Sequence, residues 1–208
     1  MFIISFKKSI LLTYLGVIFA VISMYFAFTK MAFAEVNYMR YSLVFLVLAG
    51  ICDMFDGKVA RMCKRTPEEK EFGVQIDSLA DTVGFVVLPV VIMLSLGMNS
   101  VFELIVYCLF ILCGISRLGY FNCNASLDGP VKFYNGLPVT STSIVYPILG
   151  IFHNIVPGNI FEIIYLIATI LTGFLFVVRI KIPKIKGVAY IIIPILAILL
   201  VFLLLVIK

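Results

Sequence analysis

Four aspartates lie close together in a stretch of the chain that has apolar segments on both sides. They are Asp53, Asp56, Asp77 and Asp81. Residues three or four apart share one face of a helix, so each of the two pairs is expected to point in one direction. Carboxylates that converge in a poorly solvated site repel each other unless a cation neutralises them. Hard oxygen ligands without histidine or cysteine favour Mg²⁺, Mn²⁺ or Ca²⁺, as one ion or two.

Small residues accompany both aspartate pairs. Gly57 and Ala60 share the helical face of the first pair, and Gly73 precedes Asp77 by about one turn. Residues without a large side chain let two helices, or a helix and a ligand, approach closely. The pattern therefore predicts a close contact beside the carboxylates.

Two predicted helices must hold these side chains in place. Thr66 suits the N-cap of a helix, Pro67 its first position and Glu69 its third, which together form a strong start signal. This helix is expected to run from Pro67 to about Leu96, with a kink at Pro89. The preceding helix is expected to span residues 41–61, so the four acids lie at one end of a helical hairpin, close to a membrane surface.

The composition predicts an integral membrane protein. Hydrophobic residues make up 63% of the 208 residues and charged residues only 13%, which is too apolar for a soluble domain of this length. Apolar runs near or above eighteen residues recur, as in transmembrane helices. We predict an all-α polytopic bundle of about seven spans, with six or eight as alternatives, forming one domain over residues 1–208. The predicted spans are residues 10–28, 41–61, 67–96, 101–122, 138–152, 160–178 and 188–207.

The basic residues indicate an orientation for this bundle. If the predicted spans alternate, thirteen of the 16 lysines and arginines fall on one side of the membrane, and only Lys30, Arg40 and Lys208 on the other. Loops rich in lysine and arginine usually remain in the cytoplasm. We therefore expect the acidic cluster to face the cytoplasm, and we attribute the net charge of +5 to topology and not to nucleic-acid binding.

The cysteines and the single histidine do not suggest a zinc or redox site. The five cysteines have no CxxC spacing, and His153 has no cysteine beside it. Small buried thiols are the simpler interpretation. His153 is expected in a short interfacial loop.

Eight positions around the aspartates resemble the signature of the CDP-alcohol phosphatidyltransferase family. The pattern reads Asp53-x2-Asp56-Gly57-x2-Ala60-Arg61, then eleven residues, then Gly73-x3-Asp77-x3-Asp81. We call these eight residues the aspartate signature. Enzymes of that family transfer a phosphatidyl group from a CDP-linked lipid to an alcohol and release CMP.

The resemblance implies a role for each position. Asp53, Asp56 and Asp77 would hold metal and the CDP pyrophosphate, and Asp81 would be both a metal ligand and the general base. Gly57, Ala60 and Gly73 would form a close-packed nucleotide bed, with Arg61 supporting it electrostatically. The implied cofactor is a pair of Mg²⁺ or Mn²⁺ ions, and the implied assembly is a homodimer.

Later segments are similar to the phosphatidylserine synthase branch of that family, whose substrates are CDP-diacylglycerol and L-serine. They are Arg117-Leu118, Phe121-Asn122, the run from Tyr134 to Pro138, and the run from Arg179 to Pro183. Tyr134 stands where that branch usually has phenylalanine, and Thr140 where it usually has a second proline. A serine carboxylate needs a cation, and Arg117 and Lys132 supply candidates. The implied acceptor residues are Arg117, Asn122, Lys132, Tyr134, Gly136 and Pro138.

Several alternatives remain open at the level of sequence. One alternative is the same transferase reaction with another acceptor alcohol, such as inositol phosphate, glycerol phosphate or a choline-like alcohol. Arg117 and Lys132 are equally interpretable as topology determinants or lipid contacts, and Gly136 to Pro138 as a simple turn. Membrane prenyltransferases also use aspartates and Mg²⁺, but with motifs on distant helices. A cation transporter would place its acids near the bilayer midplane.

Overall fold

The computed structural model describes residues 8–33, 36–125, 133–183 and 188–206. Outside these ranges lie the predicted acceptor residue Lys132 and four basic residues that were used to predict the topology, namely Lys7, Lys184, Lys186 and Lys208. Within them the chain forms α1 (Lys8–Phe33), α2 (Val36–Met62), α3 (Pro67–Asp81), a π-helical segment (Thr82–Val87), α4 (Leu88–Ser95), α5 (Val101–Ala125), β1 (Phe133–Asn135), a 3₁₀ turn (Val139–Ser141), α6 (Thr142–Ile151), a second 3₁₀ turn (Phe152–Asn154), α7 (Gly158–Val177), β2 (Lys181–Pro183) and α8 (Ala189–Val206).

The helices follow the predicted hydrophobic segments one by one, with α3, the π-helical segment and α4 forming a single path. Among the described residues, four helices are long and apolar enough to cross a membrane, namely Ile10–Phe33, Pro67–Ser95, Val101–Cys123 and Gly158–Val177. Val139–Ile151 and Ile192–Val206 are shorter apolar helices. The predicted all-α membrane bundle is confirmed, and the two strands of three residues each are a local addition to it.

A stripe of small side chains joins α1 to the helices behind it. Its members recur at spacings of three and four, so they share one face of α1: Thr13, Gly16, Ala20, Ser23 and Ala27. Ala20, Ser23 and Ala27 are fully buried. Ser23 donates to the carbonyl oxygen of Ser42 in α2 over 2.6 Å. Small residues and an interhelical hydrogen bond permit the close approach typical of membrane helices, and this approach brings α1 against the aspartates of α2.

The elbow between α2 and α3 forms as the sequence predicts. The Thr66 hydroxyl accepts from the Glu69 backbone N–H, and the Glu69 carboxylate accepts from the Thr66 backbone N–H. Pro67 occupies the first turn, where its missing N–H costs no hydrogen bond. This capping box fixes where α3 begins, and therefore which face of α3 presents Asp77 and Asp81 to α2.

A π-helical segment immediately precedes α4, close to Pro89, where the sequence analysis predicts a kink. Pro89 has no N–H to donate to the carbonyl oxygen of Phe85, four residues earlier. That carbonyl instead accepts the Thr142 hydroxyl over 3.0 Å. The π-helical segment also contacts the 3₁₀ turn before α6. The π-helical segment after Asp81 therefore contacts the 3₁₀ turn and α6, which follow the predicted acceptor loop.

A short antiparallel ladder joins two segments that are far apart in sequence. Phe133 pairs with Pro183, Tyr134 with Ile182 and Asn135 with Lys181. The Gly136 N–H continues the pairing by donating to the Ile180 carbonyl over 2.9 Å. Both segments were singled out by the sequence, and the fold places them side by side.

Hydrogen bonds and strand pairing gather the predicted cytoplasmic segments at one end of the bundle. Thr13 near the start of α1 bonds Asp56 near the end of α2, and Ser78 in α3 bonds Asn122 near the end of α5. The ladder of β1 and β2 adds the segments before α6 and α8. At the other end, Lys30 Nζ donates to the last carbonyl of α4 over 3.0 Å. Among the described residues, these contacts are consistent with one shared end for the segments that were predicted to lie on one side of the membrane.

Candidate functional site

Three carboxylates from two helices meet at the α2–α3 hairpin. Asp53 and Asp56 of α2 and Asp77 of α3 each contribute one oxygen, and these three oxygens lie within 4.8 Å of one another. Asp56 is buried with 6% exposure, whereas Asp53 and Asp77 are half-buried. The predicted convergence of the two helical faces is thus present for three of the four aspartates.

A cavity of about 20 Å³ lies against this cluster, and all four aspartates line it. Small residues from each surrounding segment make room for it: Gly16, Ala49, Ala80 and Gly84. A space of this size holds about one water-sized species. Three carboxylate oxygens around such a space, with no sulfur or nitrogen ligand among the lining residues, are a donor set that fits a hard divalent cation.

Thr13 and Arg117 hold the carboxylates from two further helices. The Thr13 hydroxyl in α1 donates to Asp56 Oδ2 over 2.9 Å, which orients that carboxylate. Arg117 in α5 is buried, with 9% exposure, and lies near enough to Asp53 to attract its charge. Its guanidinium carbon lies 5.5 Å from the centroid of the Phe121 ring, a cation–π distance.

Asp81 lies one turn beyond Asp77 and occupies the cavity wall, outside the three-oxygen cluster. It is buried, with 9% exposure, and its carboxyl contacts that of Asp53. Its predicted roles as ligand and as base remain predictions. A carboxylate that borders the cluster without belonging to it is, in geometry, suited to exchange a proton with a group bound in the cavity.

A second space at the elbow collects positive charge. It has a volume of about 480 Å³ and is lined by Ala60, Arg61, Cys63, Lys64, Arg65 and Lys70. We call it the basic cleft. Ala60 and Arg61 belong to the aspartate signature, so the signature borders two different spaces, one lined by carboxylates and one by cations.

The two signature glycines lie under guanidinium groups. A Cβ added at Gly57 would lie 3.6 Å from Arg61 Nη1, and one added at Gly73 would lie 3.4 Å from Arg65 Nη1. Both distances are ordinary contacts. The predicted nucleotide bed is therefore flanked by Arg61, as expected, and also by Arg65, which sequence reasoning did not assign to the site.

The predicted acceptor residues fall into two groups. Arg117 and Asn122 lie on α5 and reach the aspartate helices, because Arg117 attracts Asp53 and Asn122 Oδ1 accepts the Ser78 hydroxyl over 3.0 Å. Ser78 lies between Asp77 and Asp81 on α3. Two of the six predicted acceptor residues thus interact with the helices that hold the predicted metal ligands.

The other acceptor residues belong to the loop before α6. Tyr134 pairs through its backbone in β1, and Lys132 is outside the described residues. Gly136 has φ +80°, and a Cβ there would lie 2.5 Å from the Phe176 carbonyl oxygen, so this position requires glycine. The Pro138 carbonyl accepts the Ser141 N–H over 3.0 Å and opens the 3₁₀ turn. The described part of this loop leads from β1 to the 3₁₀ turn that contacts the π-helical segment.

Thr13 is, with Arg65, a site residue that the sequence analysis missed. Its signal was the stripe of small and polar residues at helical spacing in an otherwise apolar first span. Such a stripe predicts a packing face, but which partner it meets depends on the tertiary fold.

Comparison with known proteins identifies the chain's relatives. The family profile described as CDP-alcohol phosphatidyltransferase matches residues 9–176. A CDP-diacylglycerol–serine O-phosphatidyltransferase of Saccharomyces cerevisiae is 35% identical over 125 residues, which cover 57% of this chain and 44% of the yeast protein.

Bacterial and archaeal relatives extend this similarity. The protein of the same name from Helicobacter pylori is 32% identical over 151 residues, covering 70% of this chain and 62% of that protein. An archaetidylserine synthase of Methanothermobacter thermautotrophicus is 34% identical over 102 residues, covering 49% of this chain and 42% of that protein. These matches span about half of the relatives' own length.

Proposed function

Because the chain belongs to the CDP-alcohol phosphatidyltransferase family, we propose that it transfers a phosphatidyl group from CDP-diacylglycerol to the hydroxyl of L-serine, giving phosphatidylserine and CMP. The observation that carries the proposal is the meeting of Asp53, Asp56 and Asp77 oxygens within 4.8 Å, beside a cavity that Asp81 also lines. These are the signature aspartates, and the whole of residues 1–208 is taken as the transferase domain.

The reaction is a single displacement at phosphorus. A bond forms between the serine oxygen and the β-phosphorus of the donor, the bond from that phosphorus to the CMP oxygen breaks, and the serine hydroxyl proton passes to Asp81. Asp81 suits this step because it borders the cluster without lying in it. A buried carboxylate within reach of the attacking hydroxyl is an effective base.

Asp53, Asp56 and Asp77 would hold Mg²⁺ or Mn²⁺, with two ions as the family resemblance implies and Asp81 as a further ligand. Such ions, when bound, neutralise phosphate oxygens and stabilise charge on the leaving group. Thr13 contributes by fixing the Asp56 carboxylate. Arg117 contributes by offsetting the charge of Asp53 from α5.

The donor nucleotide would lie over Gly57, Ala60 and Gly73, with Arg61 beside it. The small side chains leave the helix surfaces accessible, and Ala60 and Arg61 open onto the basic cleft. The cluster lies at the end of the bundle that contains most of the basic residues, and this asymmetry supports a cytoplasmic active site.

L-Serine would be held by Arg117 through its carboxylate and by Asn122 and the loop of Lys132, Tyr134, Gly136 and Pro138. The proximity of Arg117 to Asp53 supports this assignment, because a cation beside the cluster can bind the carboxylate of the attacking serine. The names of the yeast and Helicobacter relatives point to serine as well. A homodimer is proposed from the family resemblance.

The name of the archaeal relative favours a second donor. An archaetidylserine synthase points to an ether-linked lipid, and the signature residues would hold the cytidine diphosphate end, which both donors share. The test therefore compares donors with ester-linked and ether-linked lipid chains.

CMP release by the purified protein tests the proposal. The protein in lipid nanodiscs receives Mg²⁺ or Mn²⁺, an ester or ether CDP-lipid, and serine, glycerol 3-phosphate, inositol phosphate, a choline-like alcohol or no acceptor. Serine-dependent release that disappears in Asp56→Asn is the expected result. Release with another alcohol alone would keep the transferase and discard serine. No release with any acceptor, together with no CDP-lipid binding, would overturn the proposal.

A further inference from the structure

The start of α6 packs closely against α2 and against the π-helical segment. A Cβ added at Gly50 in α2 would lie 2.6 Å from the Ser143 Cβ and 3.9 Å from Cε1 of the Phe85 ring, so this approach requires glycine. Gly50 precedes Asp53 by about one helical turn, and Phe85 lines the carboxylate cavity. Three segments therefore meet beside the cavity, namely α2, the π-helical segment and the first turn of α6.

Thr142 supplies a polar contact at this junction. Its side chain is fully buried, and its hydroxyl oxygen lies 3.0 Å from the Phe85 carbonyl oxygen and 2.9 Å from the Val139 carbonyl oxygen. A threonine hydroxyl has one proton to donate, so the two carbonyls share it. One carbonyl belongs to the π-helical segment and the other to the 3₁₀ turn before α6. A single hydroxyl therefore joins two irregular segments.

The π-helical segment begins immediately after Asp81, the last residue of α3. Gly84 and Phe85 of this segment line the same cavity as Asp81. A π-helical turn contains more residues than an α-helical turn, and such turns are frequent at functional sites. A change from π to α geometry would rotate the chain on one side of the segment relative to the other. Contacts that fix the π geometry therefore also fix the direction of Asp81 relative to α4.

The 3₁₀ turn continues the predicted acceptor loop. The Leu137 N–H donates to the Leu175 carbonyl of α7 over 2.9 Å, which anchors the end of the loop. The Ser143 hydroxyl donates to the Thr140 carbonyl over 2.7 Å, which holds the 3₁₀ turn against the first turn of α6. Thr142 thus lies between the acceptor loop on one side and the segment that follows Asp81 on the other.

We propose that Thr142 is a positioning residue for Asp81. Through the Phe85 carbonyl it fixes the π-helical segment, and so it holds the Asp81 carboxyl in the cavity wall while the acceptor loop is in place. The role of Asp81 as the base rests on the proposed function, whereas the hydrogen bond between Thr142 and Phe85 does not. Thr142 is not among the residues that line the cavity, so its effect on the reaction passes through the backbone of the π-helical segment.

Three variants of the full chain in lipid nanodiscs test this role. Thr142→Val keeps the shape of the side chain and removes the donor, and Thr142→Ser keeps the donor. Thr169→Val is the matched control, because Thr169 in α7 is also fully buried and its hydroxyl also bonds a backbone carbonyl, that of Tyr165 over 2.8 Å. Thermal unfolding midpoints check that each variant folds, and the two valine variants should lose similar stability.

Hydrogen–deuterium exchange measures the contact without any substrate. Loss of the Thr142 hydroxyl should raise the exchange of the backbone amides of Thr82–Val87 about fivefold, because local opening of this segment becomes easier. Thr142→Ser should retain most of the protection, and Thr169→Val should leave this segment unchanged. Equal exchange of Thr82–Val87 in all folded variants would overturn the proposed role.

Serine-dependent CMP release measures the effect on catalysis. We expect Thr142→Val to lower kcat about tenfold at nearly unchanged KM for serine and affinity for the CDP-lipid, because a misplaced base affects the transition state and not the bound ground state. Thr142→Ser should recover most of kcat, and Thr169→Val should retain it. An undiminished kcat in Thr142→Val would remove Thr142 as a positioning residue.

The double variant tests whether Thr142 acts through Asp81. In the Asp81→Asn background, Thr142→Val should lower the residual rate no further, because the group that it positions is already absent. A full tenfold further loss there contradicts the role and leaves the transferase untouched. Wild-type protein that releases no CMP with serine, but whose Thr82–Val87 amides exchange faster in Thr142→Val, counts against the proposed function and supports the structural coupling.

Discussion

Two polar clusters lie among the apolar helices, and they are built in opposite ways. In the tyrosine cluster, Tyr146 and Thr169 share a hydrogen bond of 3.0 Å, and Tyr165 donates to the Tyr146 carbonyl over 2.8 Å. In the carboxylate cluster, Asp53, Asp56 and Asp77 bring oxygens of like charge within 4.8 Å. Buried hydroxyls with partners stabilise a fold, whereas facing carboxylates oppose it. The difference indicates that the carboxylate cluster is suited to bind a ligand, whereas the tyrosine cluster stabilises the fold.

Among the predictions from this comparison, the largest effect is expected at Asp81. Asp81→Asn keeps the shape of the side chain but removes the proposed base, and we expect kcat to fall about 10³-fold, within the range for general base catalysis. Binding of the CDP-lipid should persist in part, because the three-oxygen cluster does not include Asp81. Steady-state CMP release and CDP-lipid binding measure the two effects. Normal turnover would remove Asp81 as the base.

A substitution at Gly136 tests the loop that leads from β1 to the 3₁₀ turn before α6. Gly136→Ala forces a Cβ to within 2.5 Å of the Phe176 carbonyl oxygen at φ +80°, and we expect a loss of stability of roughly 2 kcal/mol or more. The thermal unfolding midpoint measures it. The matched control is Gly119→Ala in α5, where an added Cβ meets nothing within 4 Å and helix propensity improves. Equal midpoints for the two variants would contradict the strain argument.

Arg117 tests whether the carboxylate cluster and the acceptor share one site. Arg117→Ala is expected to raise the KM for serine about tenfold and the KM for the lipid much less, because the serine carboxylate loses a charged partner. Initial rates at varied serine and varied CDP-lipid separate the two constants. An equal rise in both KM values would indicate that Arg117 is a general phosphate contact and not a serine-binding residue.

A substitution at Tyr146 tests whether the tyrosine cluster has only a structural role. Tyr146→Phe removes one hydroxyl, but Thr169 still donates to the Tyr165 carbonyl over 2.8 Å. We expect a loss of about 1 kcal/mol in stability with kcat and both KM values unchanged. Thermal unfolding and CMP release on the same preparation provide the measurement. A fall in kcat at unchanged stability would mean that the tyrosine cluster takes part in function.

The hairpin that holds the site was predictable because its signals are local. Thr66, Pro67 and Glu69 specify the start of α3 through bonds within three residues, and the spacing of the aspartates specifies a shared helical face. The apolar runs specify the helices in the same way. The sequence predicts a kink at Pro89, but the π-helical segment before it and the Thr142 hydrogen bond were not foreseen, because they depend on contacts with α6.

The sequence by itself determined the class of fold, the helical segments and the aspartate signature, since helix periodicity and capping act between near neighbours. Only the tertiary structure decided that Thr13 reaches Asp56 and that Arg65 lies over Gly73. It also decided that the strands of the two late segments pair. Those contacts join residues that only helix packing brings together, and packing depends on the summed shapes of many side chains and not on any local pattern.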